Sequence, residues 1–202
     1  MEKTAETRRP IHELLARRWS PYAYSERAVV PEILVSLLEA ARWAPSSFNE
    51  QPWSFLVATK ENPEEFARLL SCLVPGNQEW ARHAPVLMLS VAKLKFDRGG
   101  RANPHAWHDV GLAAMNLVVE AMAHGLYVHQ MAGIEPERAR ELYAIPEGWE
   151  AVAGIAVGYL GDPSTASEKS RQRDAAPRSR KPLEQMVFSG RWGIPARLAN
   201  RD

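Results

Sequence analysis

The sequence predicts an α+β fold, a central mixed or antiparallel sheet layered between helices. Three observations carry this. Helix-period and strand-like apolar runs follow one another in the order α, α, β, α, β, α, β, α, β, before a polar tail. One long, almost wholly apolar helical stretch separates two pairs of strand-like runs, which fits a layered sheet better than a doubly wound one. The chain has 202 residues, 46% of them hydrophobic, enough to bury one full core, and it shows no internal repeat.

Each element has a local reason. Ile11–Trp19 (IHELLARRW) puts Ile11, Leu14, Leu15 and Arg18 on adjoining helical rows, and Pro21 stops it. Pro31 opens a second helix whose buried stripe is Ile33, Leu34, Leu37, Leu38 and Ala41. Ala44 precedes a proline, which ends that helix. Trp53–Thr59 reads as a strand and Glu64–Leu73 as a helix. Gly76–Arg82 reads as a short helical or irregular connector, and Pro85–Ala92 (PVLMLSVA) as a central strand. Lys93–Pro104 breaks the pattern with charge, Gly99-Gly100 and Pro104; a flap over a site and an ordinary surface loop both fit. His105–His124 is helical, with only Asn116 and Glu120 strongly polar between Val110 and Ala123. A helix apolar on all sides needs cover, and a second copy across a two-fold axis supplies it. Leu126–Met131 is a short strand, Glu135–Tyr143 a helix and Ala151–Tyr159 a small-residue strand. Residues 162–177 are poor in apolar side chains and read as an extended linker, leading to a C-terminal extension over 178–202 of a single domain, 1–202.

Composition excludes several classes of function. A net charge of +1 gives no reason to expect nucleic acid or an anionic membrane as partner. The lone cysteine, Cys72, excludes an internal disulfide and a CxxC metal site. The charged start MEKTAETRRP does not read as a signal peptide, and no apolar run approaches the ~20 residues of a membrane span. The expectation is a soluble, cytoplasmic protein. There is no GxGxxG after a strand, no P-loop, no HExxH and no GxSxG. His105 and His108 lack the further ligands a metal needs.

What remains is a distributed set of polar and small residues. Ala44–Phe55 (APSSFNEQPWSF) is a proline-pinned helix-to-strand connection rich in hydroxyls and carboxamides; it suits either a heteroaromatic edge or plain solvent. Arg18 and Ser20 end the first helix, Met131, Ala132 and Gly133 end a strand, and Arg178, Arg180 and Lys181 form a basic run. Arginine forks suit a phosphate, Ser, Asn and Gln suit a polyol or an amide-bearing ring, and Gly and Ala allow a flat ring to approach backbone.

Six segments in series, RRWSPYAYS (17–25), PSSFNEQPWSF (45–55), HDVGLAAMNL (108–117), QMAG (130–133), GYLGDP (158–163) and RSRKPLEQMV (178–187), resemble the nitroreductase family of FMN-dependent oxidoreductases. The resemblance implies an intertwined homodimer with two FMN sites at its interface, each built from both subunits, and a C-terminal tail wrapping onto the partner. It implies cofactor contacts from Arg18, Trp19 and Ser20, from Pro45, Ser46, Ser47, Asn49 and Gln51, from Met131, Ala132 and Gly133, and from Arg178 and Arg180. Three positions depart from the family pattern: Trp19 and Tyr22 stand where basic residues are usual, and Ala132 where many relatives are acidic. The implied reaction takes hydride from NADH or NADPH and passes it to a nitroaromatic, quinone or similar acceptor, with no side-chain acid or base. Phe48, Trp107 and His108 are candidates for the acceptor's walls. Within the same resemblance the chain also fits a specialised dehalogenase or dehydrogenase, or a flavin-binding protein of low turnover.

Overall fold

The computed structural model describes residues 3–198. Its sheet has four antiparallel strands in the order β1-β2-β4-β3: β1 (Trp53–Thr59), β2 (Val86–Lys93), β3 (Tyr127–Met131) and β4 (Trp149–Gly158). Trp53 pairs with Ala92 and Thr59 with Val86; Val86 faces Val157 in turn, and Tyr127 faces Gly158. The register of β2 on β4 slips at Ser90/Val91, where Ser90 opposes Ala153 and Val91 opposes Ala151.

Alternation along β2 builds two cores. Val86 and Met88 point to one face, with Val57, Ile155 and Val157, under helices α2 (Pro31–Arg42) and α5 (Ala106–Ala123). Leu87, Leu89 and Val91 point to the other face, where α3 (Pro63–Leu70), α4 (Pro75–Ala81) and α6 (Pro136–Tyr143) supply Phe66, Leu69, Trp80 and Ala139. Leu87, Met88 and Leu89 are 0% exposed, which makes β2 the centre of the protein. Truncating Leu89 to Ala there costs about 2–5 kcal/mol.

The first helix, α1 (Glu13–Arg17), is shorter than the sequence predicts because His12 caps it and Arg18 is already extended. The chain then runs beside the end of β4: Ser25 N–H donates to the Tyr159 carbonyl at 2.9 Å and Gly161 N–H to the Ala23 carbonyl at 3.1 Å. Gly161 has to be glycine, since a Cβ would stand 2.4 Å from the Tyr24 carbonyl carbon. This pairing fixes where Arg18–Tyr22 lies.

The expected linker over 162–177 is corrected. Pro163–Thr165 is a 3-10 turn and Glu168–Ala175 is a helix, α7. Its mean side-chain character is polar, so periodicity gave no signal. It forms because Ser167 caps it and because Asp174, buried, accepts the Tyr22 and Ala23 backbone N–H groups at 3.1–3.3 Å. The break at Lys93–Pro104 is a tight hairpin: Phe96 N–H meets the Arg101 carbonyl and Asn103 N–H the Leu94 carbonyl, each at 2.8 Å. Gly99 and Gly100, at φ +84° and +64°, make its turn.

Candidate functional site

The first pole of the site stands at the C-terminal end of α5. Trp19, 8% exposed, packs on Met122 and meets the Tyr127 ring edge-on at 6.0 Å, so its side chain is a core anchor. That packing holds its neighbour Arg18, half-buried, against a cleft of about 610 Å³; Ser20, also half-buried, follows on the other side of Trp19. Arg8, Arg9, Arg18, Arg178, Arg180 and Lys181 line this cleft with one carboxylate, Glu6, and Arg8 is already paired with Glu184 at 2.6 Å. Burial, then the neighbouring guanidinium groups of Arg178 and Arg180, hold Arg18 below its ordinary pKa. Arg178 is held down in the same way by burial and by Arg180, and donates to the Ala16 carbonyl at 2.6 Å and to that of Lys3. Like charges gathered this way raise the free energy of the empty protein, and an anion relieves it.

The second pole is the connection over 45–51. Ser47–Asn49 forms a 3-10 turn, and Phe48, Asn49 and Gln51 all take positive φ, from 50° to 55°. Non-glycine residues rarely adopt that backbone, so the surroundings must hold it. They do. The Ser47 N–H donates to Asp109 Oδ2 at 3.0 Å, Ser46 Oγ accepts the Gln51 N–H at 2.9 Å, and the Gln51 carboxamide donates to the Asn49 carbonyl at 3.0 Å. Glu50 accepts the Asp97 N–H at 2.5 Å, which ties the loop to the hairpin over 94–103. Phe48 is left 87% exposed, edge-on to Phe96 at 6.0 Å. Trp107, 46% exposed, and His108, whose Nδ1 lies 3.0 Å from Asp109 Oδ1, stand at the same end of α5.

The third piece is the end of β3. Met131 is buried among core residues, while Ala132 is exposed. The Gly133 carbonyl accepts from Val74 N–H at 3.2 Å and from the Asn77 carboxamide at 2.9 Å. A Cβ on Gly133 would lie 2.7 Å from Asn77 Nδ2 and 2.8 Å from Val74 Cγ2, so the glycine lets the end of β3 lie close against the start of α4.

Arg18, Arg178 and Arg180 are thus brought together, as are Ser46, Ser47, Phe48, Trp107 and His108. The two groups are not joined within one chain. Asp109 and Met122 mark them, thirteen residues apart on α5, and a rise of 1.5 Å per residue separates them by about 20 Å. Sequence reasoning missed Asp109, Glu50 and Asn77. An acidic residue in the first turn of a helix reads as a complement to the helix dipole, which hid Asp109's link to Ser47.

Comparison with known proteins places the chain in a family. The Nitroreductase family matches over residues 15–159. An uncharacterised 15.4 kDa protein of Mycolicibacterium smegmatis is 40% identical over 132 residues, 65% of this chain and 87% of that protein. A putative NADH dehydrogenase/NAD(P)H nitroreductase of Archaeoglobus fulgidus is 27% identical over 153 residues, 74% of this chain and 85% of that one. A solved structure described as an oxidoreductase containing FMN superposes with a TM-score of 0.87 at 34% identity, covering 93% of this chain and 95% of the other. The chain belongs to the nitroreductase family.

Proposed function

We propose that this nitroreductase-family enzyme runs two half-reactions in turn at one site built from two copies of the chain. Its cofactor is FMN, which when bound takes hydride from NADH or NADPH and yields electrons to a nitroaromatic, quinone or similar electron-poor acceptor. The observation that carries the reading is the surplus of cations around Arg18, Arg178 and Arg180. A phosphomonoester has the charge and the acceptor oxygens such a cluster lacks, so the residues fit the group.

Each part of the site then has one task. Arg18, Arg178 and Arg180 hold the phosphate, with the Ser20 hydroxyl beside them. Ala132 and Gly133 offer backbone to the reactive edge of the ring, a neutral substitute for the acidic side chain many relatives carry. Pro45, Ser46, Ser47, Asn49 and Gln51 lie along the ring and fix its plane. Phe48 and Trp107, exposed aromatic rings beside His108, form walls on which a flat nicotinamide or acceptor stacks.

The separation of about 20 Å between the poles favours a dimer. Trp107, Gly111, Met115 and Val119 recur every fourth residue on the side of α5 away from the sheet, exposed or half-buried. Val35 on neighbouring α2 and Trp43 at its C-terminal cap are 65% and 74% exposed. Two α5 helices packed antiparallel across that face would set the loop over 45–51 of one copy against the arginines of the other. The exposed tail, with Trp192 at 92% exposure, is an apolar segment for the partner.

The test is anaerobic. Purified protein that is yellow should bleach on adding NADH or NADPH and regain its colour with menadione or a nitroaromatic. A bound flavin that neither nucleotide bleaches overturns the reading.

A further inference from the structure

We propose that Asp109 is a positioning residue for the cofactor: its carboxylate, through the Ser47 N–H, locks the loop over 45–51 into the shape that meets the flavin ring. The inference rests on the FMN reading above and names a residue that touches neither cofactor nor acceptor.

Asp109 is 2% exposed at the first turn of α5. A carboxylate that deep needs hydrogen-bond donors, and two reach it: the Ser47 N–H at 3.0 Å on Oδ2 and His108 Nδ1 at 3.0 Å on Oδ1. The α5 N-terminus adds a favourable dipole. The loop it grips cannot hold its own shape. Phe48, Asn49 and Gln51 are left-handed, Phe48 is a bulky residue at φ 54°, and its ring, 87% exposed, keeps one edge-on contact with Phe96, so packing holds it only weakly. Within the loop, Ser46 holds Gln51, the Gln51 carboxamide holds the Asn49 carbonyl, and the Asn49 and Glu50 N–H groups bond back to the Ser46 and Ser47 carbonyls; Asp109 on Ser47 and Glu50 on Asp97 tie it to the rest of the chain. Glu50, whose side chain is 9% exposed, ties the far end of the loop to Lys93 on β2 at 4.0 Å, while the Asp109 bond is the one that holds the ring-facing serines directly, through the Ser47 N–H. The same carboxylate holds the His108 imidazole, setting which way this acceptor-wall residue is turned.

The experiment compares the wild type with Asp109→Ala and Asp109→Asn, each stripped of flavin and titrated with FMN, alongside hydrogen exchange at the Ser47 amide. Asn keeps an acceptor oxygen for the Ser47 N–H, and Ala keeps none. Asp109→Ala should remain dimeric, bind FMN at least ten-fold more weakly and exchange its Ser47 amide at least ten-fold faster. Asp109→Asn should stay within about three-fold of wild type on both. Should the alanine variant fail to fold, Asp109→Ser takes its place, since its oxygen is too short to reach Ser47. An Asp109→Ala protein with wild-type FMN affinity overturns the proposal. So does an asparagine variant as weak as the alanine one, because a hydrogen bond to Ser47 would then not be the cause. Wild-type protein that takes up no FMN overturns the underlying reading instead, and that arm separates the two failures.

Discussion

The two ends of helix α5 carry the two poles of the site and solve opposite problems. At the N-terminal end the polar groups are matched among themselves: Asp109 with Ser47 and His108, Ser46 with Gln51, Glu50 with Asp97. The loop there is strained, and its strain is held by those bonds. At the C-terminal end Arg18, Arg178 and Arg180 share a cleft in which cations outnumber carboxylates. One end holds the shape of its loop without a ligand; the other is short of negative charge, which a bound anion would supply. Rigid positioning and strong anchoring are thereby kept apart within one chain, and the proposed dimer would bring them to one cofactor.

The sharpest break of that arrangement is at the helix between them. Gly111 lies on the exposed stripe, and a Cβ there meets nothing within 4 Å in the single chain. Gly111→Arg should therefore leave the fold intact by circular dichroism while size-exclusion chromatography shows a monomer with FMN lost. A dimeric, fully flavinated variant would show that α5 does not face the partner.

Next comes the anchoring end. Arg18→Ala removes a charged donor, worth about 1.5–3 kcal/mol, so FMN titration should show affinity falling roughly ten- to hundred-fold. The flavin-free variant should melt no lower than flavin-free wild type, because the substitution also relieves repulsion from Arg178 and Arg180. A lower melting temperature would mean that the cluster is satisfied without a ligand.

The shaping end should respond differently. Ser46→Trp or Ser47→Trp should weaken FMN retention, read from the flavin absorbance of the purified protein, while leaving the dimer assembled. Full occupancy in either variant would move the ring away from this loop.

The smallest effect concerns the strand beside the anchoring end. Burial holds the His129 pKa below its ordinary value of 6.5, against the opposing effect of the Pro21 carbonyl that its Nδ1 meets at 2.9 Å. The unfolded chain therefore binds the proton first as pH falls. The stability this neutral imidazole contributes is full above pH 6.5 and declines below it. Urea midpoints measured at pH 7.5 and 5.5 should differ less in His129→Gln than in wild type.

Sequence and structure divide the protein in a consistent way. The sequence by itself determined the strands and long helices, because apolar patterning is a local property: the apolar run Trp53–Thr59 is a strand with the expected bounds, and α5 and α6 differ by a residue or so at their ends. It also determined which residue types are available to a phosphate and a flat ring. Helix α7 was hidden because no apolar stripe marks it; its order comes from Ser167 and from Asp174 on Tyr22 and Ala23, about 150 positions away in sequence. Asp109 was hidden for the same reason, its partner Ser47 being 62 residues distant. Only the tertiary structure decided that the arginines converge, that Gly133 and Gly161 stand against neighbouring chain segments, and that the loop and the arginines occupy opposite ends of one helix. Those facts depend on contacts between segments far apart in the chain, which local pattern does not encode.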